Sequence, residues 1–275
     1  MTTLPRPSIP RYGAKMATPL IDSHAHLTFD RFDDDRDAVL RRAREAGVET
    51  VITIGTELHS SLAAVALAER HGMVFASAGV HPHGADEFDD AHWPALAALW
   101  GHPRVCAVGE TGLDYYYDYG SPERQRRLFR RHLVAAGEVG LPVVLHIRDA
   151  FEDAFDLVEE VGLPSGGVVH CFTGGPAECE RALALGMYIS LSGIVTFKTA
   201  QTLRATVSQI PSDRLLIETD APYLTPVPMR GRRNEPSYVV HTARAVAALR
   251  AVEYDAVCSV SRENTIRLFG LPPAS

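Results

Sequence analysis

Leu20-Ile21-Asp22-Ser23-His24-Ala25-His26 is the stretch whose reading decides the fold. Two apolar residues lead into an acid, and two histidines follow one residue apart. If Leu20 to His24 is a strand, His24 and His26 share a face, because side chains alternate with period two. Two imidazoles projecting together form a metal-ligand pair of the kind that suits Zn, Mn, Fe or Ni. An isolated H-x-H is a weak signal, since two surface histidines at a strand end look the same. Its weight comes from downstream, where strand after strand ends in the same kind of residue.

Strand-like and helix-like runs alternate with little between them. Strands are expected at Leu20–His24, Thr50–Ile54, Val74–Val80, Arg104–Val108, Pro142–His146, Val168–His170, Met187–Ser190 and Leu215–Thr219. Helices are expected at Asp33–Ala46, Leu58–Arg70, Trp93–Trp100, Pro122–Val139, Asp149–Val161, Pro176–Leu185 and Ala200–Ile210, with two closing helices from Pro236 to Phe269. Glycines after the first two helices and Pro122 in the first turn of the fourth mark their ends. Eight strand–helix units without a linker predict a (β/α)8 TIM barrel of the α/β class, one catalytic domain over residues 18–275. A doubly wound open sheet is disfavoured, because the glycine-rich phosphate fingerprint after the first strand is missing. Residues 1–17 carry three prolines and no apolar centre, so they read as a disordered N-terminal tail rather than a signal peptide. Met16 is an alternative natural start to Met1.

A 46% hydrophobic fraction in 275 residues supplies a sizeable core and argues against disorder. Lys+Arg 27 against Asp+Glu 34 gives a net charge of −7, so no global basic field exists to grip duplex nucleic acid. Any such contact falls to a local patch or a metal. The cysteines (Cys106, Cys171, Cys179, Cys258) are scattered with no C-x-x-C, which fits buried thiols in a reducing compartment. No apolar stretch approaches a membrane span. The expected location is cytoplasmic, and nothing in the sequence calls for an obligate protein partner.

Metal-type ligands stand at five predicted strand ends: His24 and His26, Glu110, His146, His170 and Asp220. Barrel active sites lie at the C-terminal ends of strands, so these six converge on one mouth. His59, His71, His92, His102 and His132 fall in helices or their flanks and read as solvated. Four imidazoles and two carboxylates exceed the ligand set of one catalytic zinc, so two divalent ions (Mg, Mn or Zn) fit better. In many barrel hydrolases a carboxylated lysine on the fourth strand bridges such ions. Here the only lysines are Lys15, in the tail, and Lys198, after the seventh strand, so Glu110 is the expected bridge. His24, His26 and Asp220 are assigned to one ion, His146 and His170 to the other. Water between two cations becomes the nucleophile, and Asp220 ligates and takes its proton.

With these residues in view, the chain resembles the TatD-type metal-dependent deoxyribonucleases, of the amidohydrolase-like barrels, over nearly everything from Leu20 to Gly270. The motifs are Asp22-Ser-His-Ala-His26, Gly79-Val-His-Pro-His83, Val108-Gly-Glu-Thr-Gly-Leu-Asp-Tyr-Tyr116 and Leu141-Pro-Val-Val-Leu-His146. Val169-His-Cys-Phe172, Ser190-Leu-Ser-Gly-Ile-Val-Thr-Phe-Lys198, Glu218-Thr-Asp-Ala-Pro-Tyr-Leu224 and Arg230-Gly-Arg-Arg-Asn-Glu-Pro236 complete the set. The resemblance implies hydrolysis of DNA phosphodiesters, as a 3'-5' exonuclease on single-stranded or frayed ends, with the same six residues as ligands. Departures are small: Ile147 stands where the family usually has Ser, and Arg232-Arg233 replaces a Lys-Arg pair.

Around the ligands, His81 and His83 are candidates to contact a phosphate or the nucleophilic water, and Arg148 to hold a phosphate oxygen. Lys198, Arg230, Arg232 and Arg233, in loops on the same face, suit a phosphate track in an acidic protein. Tyr115, Tyr116 and Tyr117 are placed to stack unpaired bases, with at least one packing over the rim instead. Cys171, next to His170, points the opposite way if its strand is regular. Two other functions compete with the nuclease. One is an amide or ester hydrolase, such as an aminoacyl-tRNA deacylase, using the same activated water. The other is a metal-binding scaffold.

Overall fold

In the computed structural model, residues 18–272 are described; the tail, residues 1–17, and the Met16 start lie outside them. Eight strands pair in chain order, each parallel to the next: β1 (Leu20–Ala25), β2 (Val48–Thr53), β3 (Val74–Ala78), β4 (Val105–Asp114), β5 (Val143–Arg148), β6 (Gly167–Val169), β7 (Tyr188–Leu191) and β8 (Leu215–Ile217). The ring closes beyond β8, where Asp220 N–H donates to His24 O (2.9 Å) and His26 N–H to Ala221 O (2.7 Å). Helices α1 (Arg36–Glu45), α2 (Leu58–Arg70), α3 (Trp93–Leu99), α4 (Pro122–Val139), α5 (Phe151–Val161), α6 (Pro176–Ala184) and α7 (Gln201–Thr206) alternate with the strands. After β8 come α8 (Val239–Arg250) and α9 (Tyr254–Phe269). This is the (β/α)8 barrel the alternation predicts. None of the described helices is long and apolar enough to cross a membrane.

The strands are apolar on both faces because both are covered. An outer layer packs residues such as Val51, Val74, Val108 and Ile189 against the helices. Inside, Ile21, Ile52, Phe75, Ala107, Val144, Val168 and Leu216 fill the ring together with Leu268, Phe269 and Leu271 from the chain's end. Further along the strands the interior turns polar. Ser23 Oγ lies 3.2 Å from Ser190 Oγ, which donates to Glu218 Oε2 (2.6 Å), and Ser77 Oγ accepts from Gly55 N–H (3.3 Å). That polar layer is the floor of the site.

Three sequence expectations need correction. First, the alternation along β1 slips: register with β2 shifts between Asp22 and Ala25, and Leu20 and Ala25 both pack in the outer layer, which strict period two forbids. Second, β4 does not stop at Val108 but runs on to Asp114, so Glu110 sits within a strand. Gly112 permits this, with φ of 142° and a Cβ position only 2.0 Å from His146 O on β5. Third, His132 is not solvated. It is fully buried on α4, its ring at Leu128 O (2.7 Å) and accepting from Val80 N–H (3.2 Å). His59 and His92 are exposed, and His71 and His102 are partly exposed beside Asp37 and Glu69.

Candidate metal centre

The ends of β1, β4, β5, β6 and β8 bring six donors into one pocket. His24 Nε2 lies 3.3 Å from His26 Nε2, and Asp220 Oδ1 lies 3.2 Å from His26 Nε2 and 3.7 Å from His24 Nε2. On the other side, His146 Nδ1 lies 3.2 Å from His170 Nε2. Glu110 stands between the two groups. Its Oε1 is 3.0 Å from His146 Nδ1 and 2.7 Å from His170 Nε2, while its Oε2 is 3.4 Å from His24 Nε2 and 3.7 Å from His26 Nε2. Donors held about 2.0–2.1 Å from a tetrahedral centre are about 3.3 Å apart, so each group has the spacing of a ligand shell. Glu110 Oε2 is buried without a hydrogen-bond partner, the orphan that a cation satisfies. The donor set therefore fits divalent metal, and all six residues singled out from the sequence are in it.

Charge in the pocket is tightly coupled. Burial alone raises the Glu110 carboxyl, but the imidazoles of His170, His81 and His24 outweigh it and hold the group well below the usual range. Burial works against a charge on His170 as well, yet Glu110 and Glu218 lift its pKa well above the ordinary value. His81 behaves oppositely: burial and the neighbouring His146 lower its pKa well below the ordinary value, with Nε2 3.5 Å from Glu110 Oε1.

Two carboxylates behind the ligands escaped the sequence reading. Asp114, the last residue of β4 and almost fully buried, takes His146 Nε2 at 2.9 Å and His83 Nε2 at 2.7 Å on its Oδ2. Such a carboxylate fixes the tautomer of His146 and turns Nδ1 toward Glu110. Glu218 accepts from Cys171 N–H (2.6 Å) and Ser190 Oγ–H (2.6 Å), and its Oε1 lies 3.4 Å from His170 Nδ1. For Glu218, a carboxylate directly following the apolar run Leu215-Leu-Ile217 was the available signal; Asp114, after Glu110-Thr-Gly-Leu113, had none. β6 ends at Val169, so the regular-strand premise for Cys171 fails. Its φ is 43°, and Sγ lies 3.2 Å from Ser192 Oγ, beside the site rather than behind it.

The residues expected to meet substrate divide. His81 faces the pocket, and His83 borders it through Asp114. Arg148 lies flat against two tyrosines, its guanidinium carbon 3.8 Å from the Tyr116 ring centre and 4.8 Å from that of Tyr117. Lys198 is exposed on the loop after β7, next to Phe197, over whose ring Arg230 lies at 4.3 Å. Arg233 is tied away, paired with Asp35 at 2.8 Å and lying over Phe32. Arg232 lines a separate cleft with Arg42, Glu45 and His241. Of the tyrosines, Tyr115 packs inward and donates to Asp153 (2.8 Å), whereas Tyr116 and Tyr117 are exposed.

Residues 21–270 match the family model described as TatD related DNase. The chain is 42% identical over 260 residues to the 3'-5' ssDNA/RNA exonuclease TatD of Erwinia amylovora, covering 92% of this chain and 100% of that protein. It is 39% identical over 251 residues to the uncharacterized metal-dependent hydrolase YabD of Bacillus subtilis, covering 91% of this chain and 98% of that one. The crystal structure of YjjV, a TatD homologue from Escherichia coli K12, superposes with a TM-score of 0.88 at 33% identity, covering 92% of this chain and 98% of that chain. With a family match over almost the whole barrel and six donors gathered at its mouth, the chain belongs to the TatD related DNase family, enzymes that hydrolyse ester bonds.

Proposed function

We propose that this chain is a phosphodiesterase with two divalent cations that removes nucleotides from the 3' end of single-stranded DNA. One observation carries the reading: the two oxygens of Glu110 face different groups of imidazoles, as a bridging carboxylate must. His24, His26 and Asp220 would hold one cation, His146 and His170 the other, and Glu110 both. Cations seated there supply Lewis acidity, acidifying water and neutralising phosphate charge.

The chain's own groups do the rest. Asp220, whose side chain is 13% exposed against 2% for Glu110, meets incoming water first and accepts its proton on its carboxylate. His81 holds its ring against the pocket as a hydrogen-bonding partner for a phosphate oxygen. Lys198 and Arg230 supply positive charge at the β7–β8 edge of the mouth, where a polyanion enters. Arg232 and Arg233 are left out of that track by their positions.

The test is cleavage of a 5'-labelled single-stranded oligonucleotide with Mg2+ or Mn2+, beside the same strand as RNA and an aminoacyl ester. We expect stepwise loss of 3' nucleotides, abolished in Asp220→Ala and His146→Ala. Turnover of the ester alone by metal-loaded protein would replace the phosphodiesterase reading with the deacylase one. Undiminished cleavage by either variant would remove the site from the reaction.

A further inference from the structure

Just outside the ligands, residues 115–119 follow β4 along the rim. Three of the large apolar side chains exposed on the molecule come from these five residues: Tyr116 (57% exposed), Tyr117 (39%) and Tyr119 (62%). Their rings are organised. Tyr117 and Tyr119 are stacked at 5.2 Å and 17°, and Tyr116 stands edge-on to Tyr117 at 4.8 Å. His83 packs its ring edge-on against Tyr117 (5.3 Å) and Tyr119 (5.0 Å), and the Arg148 guanidinium lies against Tyr116 and Tyr117.

The segment is also pinned. Asp114 Oδ1 accepts from the backbone N–H of Tyr116 (3.0 Å) and Tyr117 (3.2 Å), while its Oδ2 holds His146 and His83. At the segment's two ends the buried Gln125 side chain accepts from Asp114 N–H (2.8 Å) and donates to Asp114 O (3.0 Å) and Gly120 O (2.7 Å). Exposed rings on a backbone this firmly held are ready for a ligand without an ordering cost. One carboxylate thus sets the register between the rings and a candidate metal ligand.

We propose that Tyr116, Tyr117 and Tyr119 form a stacking platform for the unpaired base adjoining the phosphate held at the metal centre. The inference rests on the phosphodiesterase reading and adds to it a reason for single-strand preference. Every base has a π-face, so flat aromatic surfaces accept any sequence, but only a base free of its partner strand can reach them. Arg148 beneath the rings adds the positive charge that a polyanion favours, in a chain of net charge −7. An acidic or apolar protein segment is the competing occupant.

The experiment is a binding cycle with Ca2+ in place of a catalytically supportive ion. Affinities are measured by fluorescence anisotropy for single-stranded oligonucleotides that are intact or abasic at the 3'-terminal two positions. The proteins are the wild type and the Tyr117→Leu/Tyr119→Leu double variant. We expect the wild type to bind the intact strand about tenfold more tightly than the abasic one, the lower part of the range for one stacked base. The double variant should bind both strands alike. A Tyr117→Phe/Tyr119→Phe variant keeps the rings and should restore the preference, which separates stacking from a folding defect. Equal wild-type affinity for both strands overturns the platform, as does an unaltered preference in the leucine variant. Cleavage by the wild type with Mn2+ is scored separately. A protein that shows base-dependent binding but cuts no phosphodiester keeps the platform and loses the reaction; one that cuts without base preference does the reverse.

Discussion

At the scale of single residues, Glu110 is where charge and geometry are most tightly joined. It is 1% exposed, and each of its oxygens faces imidazole nitrogens of a different group. Glu110→Gln keeps the shape and removes the charge that the two proposed cations would share. The variant should fold, bind fewer equivalents of Mn2+ or Zn2+ than the wild type, and lose at least about 100-fold in kcat. Outer-shell substitutions typically cost 10- to 100-fold, so a directly bridging group should exceed them. Metal content by elemental analysis beside single-turnover cleavage decides it; full metal occupancy with wild-type turnover would remove the bridge. Glu110 was legible in the sequence because a carboxylate directly follows the apolar run Val105–Val108 and Gly109. Asp114 was not, because nothing local says that the strand continues six residues past Val108. Arg233 shows the converse failure: a cation in the right loop, but steered elsewhere by Asp35, which no reading of that loop reveals.

At the scale of elements, α4 is locked to the end of β3 by His132. The ring accepts from Val80 N–H, the residue before His81, so the clamp sets where the β3 loop enters the mouth. Burial, partly offset by the Leu128 carbonyl, lowers the His132 pKa to about 4 from the ordinary 6.5. As pH falls, the unfolded chain therefore binds this proton before the folded one does. The contribution to stability is complete above pH ~6.5 and declines as pH falls toward ~4, by about 2 kcal/mol at pH ~5. His132→Phe leaves Val80 N–H unpaired and should cost about 1–3 kcal/mol at pH ~7.5. The gap between wild type and variant should then narrow by about 2 kcal/mol at pH ~5 in urea titrations with chelator present. A gap of constant size would mean that His132 does not titrate in this window. The same helix shows why element identity was readable and side-chain fate was not. The apolar period of α4 fixes its type and length, but His132 lies on its buried stripe and is held there by the indoles of Trp93 and Trp100 at 5.0 and 6.2 Å. The eight alternations gave the barrel for the same reason: strand and helix periods are local. The slip in β1 and the extension of β4 are set by neighbouring strands, so they appear only in the assembled sheet.

At the scale of the whole molecule, the donors come from β1, β4, β5, β6 and the segment after β8, and span residues 24 to 220. A cation that joins them ties distant parts of the ring together, so its loss should be felt by the entire barrel rather than by one loop. The unfolded chain cannot gather these donors, so metal binds the folded state and stabilises it by mass action, about 2.7 kcal/mol per site at a hundredfold excess over Kd. For a domain of this size, about 1 kcal/mol moves Tm by roughly 2–4 °C. Adding Mn2+ or Zn2+ to chelated protein should therefore raise Tm by roughly 5–10 °C per site, and excess chelator should reverse it. The effect should weaken as pH falls toward the acid range, because protons then compete with metal for the imidazoles and carboxylates. Replacing Asp220 with Asn and His146 with Gln separates the two groups, since each variant should keep the shift belonging to the other. If calorimetry shows one unchanged Tm with and without metal for the wild type, the six side chains do not act together as a clamp, and their convergence serves the packing of the mouth alone.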